Sequence, residues 1–75
     1  MPHIIVKLYS GRNKELKTEL ADNIAKAVSE TLNLDIGTVS VSIEEVQKED
    51  WEKTVYNTDI LDNKDKLYKK PNYKF

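Results

Sequence analysis

The spacing of apolar residues along this chain changes from two to about three and a half, and back to two. In residues 3–9, Ile4, Val6 and Leu8 alternate with Ile5, Lys7 and Tyr9, and the isoleucine, valine and tyrosine content suits a pleated strand. Both faces carry apolar residues, so the strand is expected to be covered on both sides. Ser10-Gly11-Arg12 follows as a tight turn, with glycine free to take a positive φ. Asn13 is placed to cap a helix whose apolar stripe is Leu16, Leu20, Ile24, Ala27, Val28 and Leu32. Lys14, Lys17, Asp22, Lys26 and Glu30 make up most of its solvated face, and Asn33 can close it in the left-handed conformation. After the loop 34–38, Val39, Val41 and Ile43 alternate with Ser40, Ser42 and Glu44 in a second strand.

Strand, long helix, strand is a βαβ unit, which predicts an α/β fold with a parallel strand pair and a right-handed crossover. Two strands are too few for a self-sufficient sheet, so a second copy of the chain is expected to complete it. Beyond residue 46 the pattern weakens. Asp50-Trp51 reads as a short turn and Thr54-Val55-Tyr56 as a short strand. Thr58 or Asp59 can cap a C-terminal helix running to about Lys69, with Ile60, Leu61, Lys64, Leu67 and Tyr68 on one side and Pro71 as its stop.

At 75 residues, the chain has room for one domain spanning 1–75, and a core this small is commonly completed by oligomerisation. The net charge is −1 with lysines and acids interleaved, so no basic stripe invites nucleic acid. The tail from Lys69 to Phe75 is basic and aromatic, and reads as a solvated or interface-seeking terminus. The longest apolar run, Ile4–Val6, is far short of a membrane span. No signal peptide is visible and cysteine is absent, which fits a cytoplasmic protein. One histidine and no cysteine make a metal site unexpected, and neither a P-loop nor a dinucleotide glycine fingerprint is present.

Six positions could carry chemistry. If Met1 is removed, Pro2 presents a secondary amine at the head of the first strand. The reference pKa of an α-amino group is about 7.7–8.0. A dry, cationic pocket lowers it, and such an amine serves as a general base near neutral pH. Arg12 is the only arginine beside eleven lysines; its planar fork grips a carboxylate, although a surface residue at a helix start is an equal reading. Trp51, the only tryptophan, reads either as a packing anchor or as the wall that keeps an amine dry. Ser40 and Ser42 could donate hydrogen bonds from the polar face of the second strand, or simply be solvated. His3, the sole histidine, follows Pro2 and reads as a packing residue or a proton-tuning one.

These residues bring a family into view. The chain resembles the 4-oxalocrotonate tautomerase family over roughly residues 2–51, with Pro2 at the family's catalytic proline, Arg12 at its substrate-binding arginine and Trp51 at its pocket aromatic. Ser40 stands where the hexameric enzymes carry a second arginine, so the resemblance implies a substrate with one carboxylate. Met1-Pro2-His3-Ile4, Trp51 and the Lys69-Lys70-Pro71 tail look like the dimeric PptA-like branch, whose members tautomerise phenylpyruvate-type enols; the glycine–arginine turn looks more like the hexameric one. The resemblance implies keto–enol tautomerisation of a small 2-oxo acid or its enol, with Pro2 as base, Arg12, Trp51 and Ser40 on the substrate, and no cofactor. The implied assembly is a homodimer, with a hexamer as the alternative. The tail would cover the surface on which hexameric relatives join their dimers. The other readings are a related proline-based hydratase, dehalogenase or decarboxylase, and a non-catalytic dimeric binding module that kept the fold.

Overall fold

A computed structural model describes residues Met1–Phe75. Strand β1, His3–Tyr9, leads through the glycine turn into helix α1, Lys14–Leu32; a short 3-10 turn at Ile36–Thr38 then feeds β2, Ser40–Val46. The strands pair in parallel with His3 opposite Ser40 and Tyr9 opposite Val46. The crossover therefore has the βαβ form, and all strand beginnings lie at one end of the sheet and all strand ends at the other.

Local chemistry explains the boundaries. The Asn13 side chain accepts a hydrogen bond from the Leu16 backbone N–H at 2.8 Å, which satisfies one of the donors a helix start leaves free. Asn13→Ala is expected to lower the unfolding free energy by about 1 kcal/mol, read as a shifted urea midpoint at unchanged slope. At the other end Asn33 sits at φ 55°, ψ 57°, the left-handed cap expected of an asparagine there. Gly11 has φ 123°, a conformation that a side chain would strain, so the turn after β1 depends on glycine.

The segment after β2 differs from its sequence pattern. Residues 54–56 are not a strand: Glu52–Ile60 is a π-helix, entered through a 3-10 turn at Lys48–Asp50. The hydroxyls of Thr54 and Thr58 donate to the carbonyls of Asp50 and Thr54, four residues back, which favours a widened turn. The C-terminal helix is the 3-10 segment Leu61–Lys66 and does not reach Lys69; Asn63, at φ −123° and ψ 32°, breaks its geometry well before Pro71. The remaining chain is irregular and folds back over the π-helix. No helix is long and apolar enough to cross a membrane.

The core is small. Only Val55 and Tyr56, both on the π-helix, are buried. Helix α1 half-buries Leu20, Ile24 and Val28 toward the sheet and is tied to β2 by the Lys17–Glu45 ion pair. Leu16 and Leu32, at the ends of the same stripe, are 50% and 57% exposed, and Ile5 in β1 is 55% exposed. One chain thus leaves part of β1 open, where its sequence pattern called for cover on both sides. The accessible surface is 6048 Å². A self-contained folded chain of this mass exposes about 4,700 Å².

Candidate active site

Parallel pairing separates the candidate residues into two groups. Pro2, half-buried, lies at the starting end of the sheet, where its carbonyl accepts the Ser40 backbone N–H at 3.2 Å. His3 Nδ1 and the Ser40 hydroxyl share a hydrogen bond of 2.6 Å. That bond uses only part of the hydroxyl's capacity, which comprises one donor and two acceptor positions. Pro2, His3 and Ser40 therefore form one connected group at the chain's beginning.

Arg12 and Trp51 lie at the opposite end. Past the last rung of β1, the Ser10 N–H still reaches the Val46 carbonyl at 3.3 Å, so the turn is held against the sheet. Its residue Arg12 donates from Nη1 to the Tyr9 carbonyl at 3.2 Å and borders an open cleft of about 520 Å³. Four aromatic side chains, Tyr9, Trp51, Tyr73 and Phe75, line that cleft together with Leu8. Trp51 meets Tyr9 edge-on with ring centres 5.1 Å apart, and its indole N–H donates to the Tyr73 hydroxyl at 2.9 Å. Tyr73 and Phe75 in turn pack on the buried Tyr56, at 5.7 and 5.0 Å between ring centres. The returning tail thus forms one side of the cleft.

The cleft's charge is cationic. Lys7, Arg12 and Lys74 border it and no acidic side chain does. The hydrogen bond to Asp59 of the π-helix, foremost, holds the Lys7 ammonium above the usual lysine range. Farther along β2, the hydrogen bond from Lys17 holds the Glu45 carboxyl below its ordinary value. No group of three His, Cys, Asp or Glu side chains is arranged to hold a metal ion.

Within one chain, then, Arg12 and Trp51 come together, while Pro2 and Ser40 do not join them. The seven-residue β1 intervenes, a span of about 23 Å. Sequence reasoning missed Tyr9, Tyr73, Lys74 and Phe75 as cleft residues. The available signal was the run of aromatics in a basic tail, which a chain with so few buried residues has reason to fold back.

Comparison with known proteins places this geometry in context. The model of the tautomerase enzyme family matches residues 2–52. A probable tautomerase of Xylella fastidiosa is 47% identical, covering 97% of this chain and 89% of that protein. Tautomerase PptA of an Enterobacter species is 40% identical over 97% of both chains. Among solved structures, a 4-oxalocrotonate tautomerase isozyme from Methylibium petroleiphilum superposes with a TM-score of 0.64 at 30% identity, over 67% of this chain and 81% of its own. The shared part is the βαβ unit with Pro2 at its head and the Arg12 turn inside it, and on that evidence the chain belongs to the tautomerase family, in the 4-oxalocrotonate tautomerase fold and with a PptA-like sequence.

Proposed function

We propose that this chain, an isomerase of the tautomerase family, interconverts the keto and enol forms of a small 2-oxo acid with Pro2 as its proton carrier. The observation that carries the reading is the joint placement of Arg12 and Trp51 in one aromatic, cationic cleft at the end of β1. Removal of Met1 frees the Pro2 amine. The nitrogen takes the enol hydroxyl proton and returns a proton to the adjacent carbon, as the C=C bond becomes C–C and the C–O bond becomes C=O. Arg12 holds the carboxylate with two parallel hydrogen bonds. Trp51 and Tyr9 shed water from the cleft, and the Ser40 hydroxyl offers its remaining hydrogen-bonding capacity to substrate beside Pro2.

The site is shared between copies. The length of β1, about 23 Å, lies between Pro2 and Arg12 in one chain, so a neighbouring copy supplies the base. A two-fold partner with its β1 running the opposite way sets its Pro2 end against this Arg12 end, and the symmetry repeats the arrangement. The chain's surplus of roughly 1,300 Å² over a self-contained protein amounts to about 2,600 Å² for two chains, the range that obligate homodimer interfaces cover. We therefore assign a homodimer, with a hexamer as the alternative, acting in the cytoplasm on a small molecule.

The test uses protein whose loss of Met1 is verified by mass. Ketonisation of enol phenylpyruvate, followed by ultraviolet absorbance, is expected to run well above the buffer-catalysed rate. Absence of acceleration toward phenylpyruvate and other 2-oxo acids would overturn the reading.

A further inference from the structure

Part of the cleft's lining comes from a segment that the family match, ending at residue 52, does not include. Residues 73–75 supply two of the four aromatic walls and one of the three cations. The cations are not equivalent. Lys7 is paired with Asp59. Arg12 spends one N–H on the Tyr9 carbonyl and has no carboxylate partner. Lys74 has no carboxylate partner either: the ion pairs of the molecule are Lys7–Asp59 and Lys17–Glu45. Two cations with their charge unspent therefore face the same aromatic cleft.

Lys74 is also held in place. Its neighbour on one side, Tyr73, is tied to Trp51 through the indole hydrogen bond and packs on Tyr56. Its neighbour on the other side, Phe75, packs on Tyr56 and on Tyr73, with ring centres 5.0 and 5.9 Å apart. A lysine between two anchored aromatics keeps its backbone fixed while the ammonium remains free to reach a ligand.

Resting on the proposed tautomerase reading, we infer that Lys74 is a substrate-site residue that neutralises the charge developing on the 2-oxo oxygen, as Arg12 neutralises the carboxylate. The charge count supports this division. A monocarboxylic 2-oxo acid enters as a monoanion and becomes a dianion, carboxylate plus enolate oxygen, once the enol proton has moved to Pro2. Two unpaired cations match that dianion. The planar guanidinium suits the carboxylate, and the ammonium, a compact point charge, suits a single oxygen. An interaction that appears only as charge develops accelerates the reaction without tightening the ground state. The second cation thus comes from the tail, whereas β2 offers Ser40, at the other end of the sheet.

The test pairs kinetics with equilibrium binding. Lys74→Gln is expected to lower kcat on a monocarboxylic enol roughly tenfold to a hundredfold with KM changed much less, and Lys74→Arg to restore most of it. Oxalate presents two adjacent oxyanions, as the enolate does, and calorimetry should show it binding about tenfold more weakly to Lys74→Gln than to the unaltered protein. Lys74 is exposed and makes no side-chain hydrogen bond, so these variants keep the fold. Unchanged kcat, unchanged oxalate affinity, or a loss confined to KM for substrates with a second, remote carboxylate would each overturn the assignment. If the unaltered protein were inactive on every 2-oxo acid, the proposed reaction would fall, and the oxalate comparison would still decide whether Lys74 binds anions in this cleft.

Discussion

Processed protein carrying Pro2→Ala is expected to lose about 10²- to 10⁴-fold in kcat/KM toward an enol 2-oxo acid, the range a positioned proton carrier contributes. Alanine keeps an amine at the same place in sequence. It exchanges a secondary for a primary amine and gives up the ring that fixes where the nitrogen points. Retention of Met1 should be as damaging, because an acylated nitrogen has no basic lone pair. The pH profile carries the second half of this result. A pocket walled by Trp51 and bordered by Arg12 disfavours the protonated amine, so the acidic limb of kcat/KM should fall below the α-amino reference of about 7.7–8.0. The chain's N-terminal mass and its steady-state rates check both points together, and full activity in Pro2→Ala would remove proline from the mechanism.

Arg12→Ala is expected to cost roughly tenfold to a hundredfold in kcat/KM, the worth of a charge-assisted carboxylate contact, with Arg12→Lys recovering part of it. The more telling experiment mixes the two damaged proteins. If each site takes Pro2 from one copy and Arg12 from another, co-folded Pro2→Ala and Arg12→Ala chains regain about a quarter of the unaltered activity. Half the dimers are mixed, and each mixed dimer restores one intact site of two. A site contained in a single chain would regain none.

The parts of this architecture legible in sequence are those decided locally. The β1 range follows from alternation over seven residues, and the ends of α1 follow from two asparagines, one capping with its side chain and one turning left-handed. β2 is displaced by one residue, running on to Val46 and starting at Ser40: Val39, read into the strand, instead donates its N–H to Ile36 and closes the preceding 3-10 turn. The failure at residues 54–56 has a different cause. Threonine, valine and tyrosine favour a strand in isolation, but Val55 and Tyr56 form the buried core on which the tail packs, and tertiary burial overrides local preference. A π-helix has no distinctive residue pattern to announce it. The identities of Pro2, Arg12 and Trp51 as candidates came from residue chemistry and family likeness. What no periodicity could convey is that Lys74 arrives beside Trp51 in the same cleft.

Trp51 gives the molecule a built-in optical reporter. It is the only tryptophan in the chain, and its indole N–H is bound to a hydroxyl 22 residues away on the tail. Excitation at the red edge of absorbance therefore reads a single ring whose surroundings change when the tail lifts, before β1 and α1 come apart. Emission from Trp51 and far-ultraviolet ellipticity from α1 would then follow two separate openings of the same protein, one local and one global.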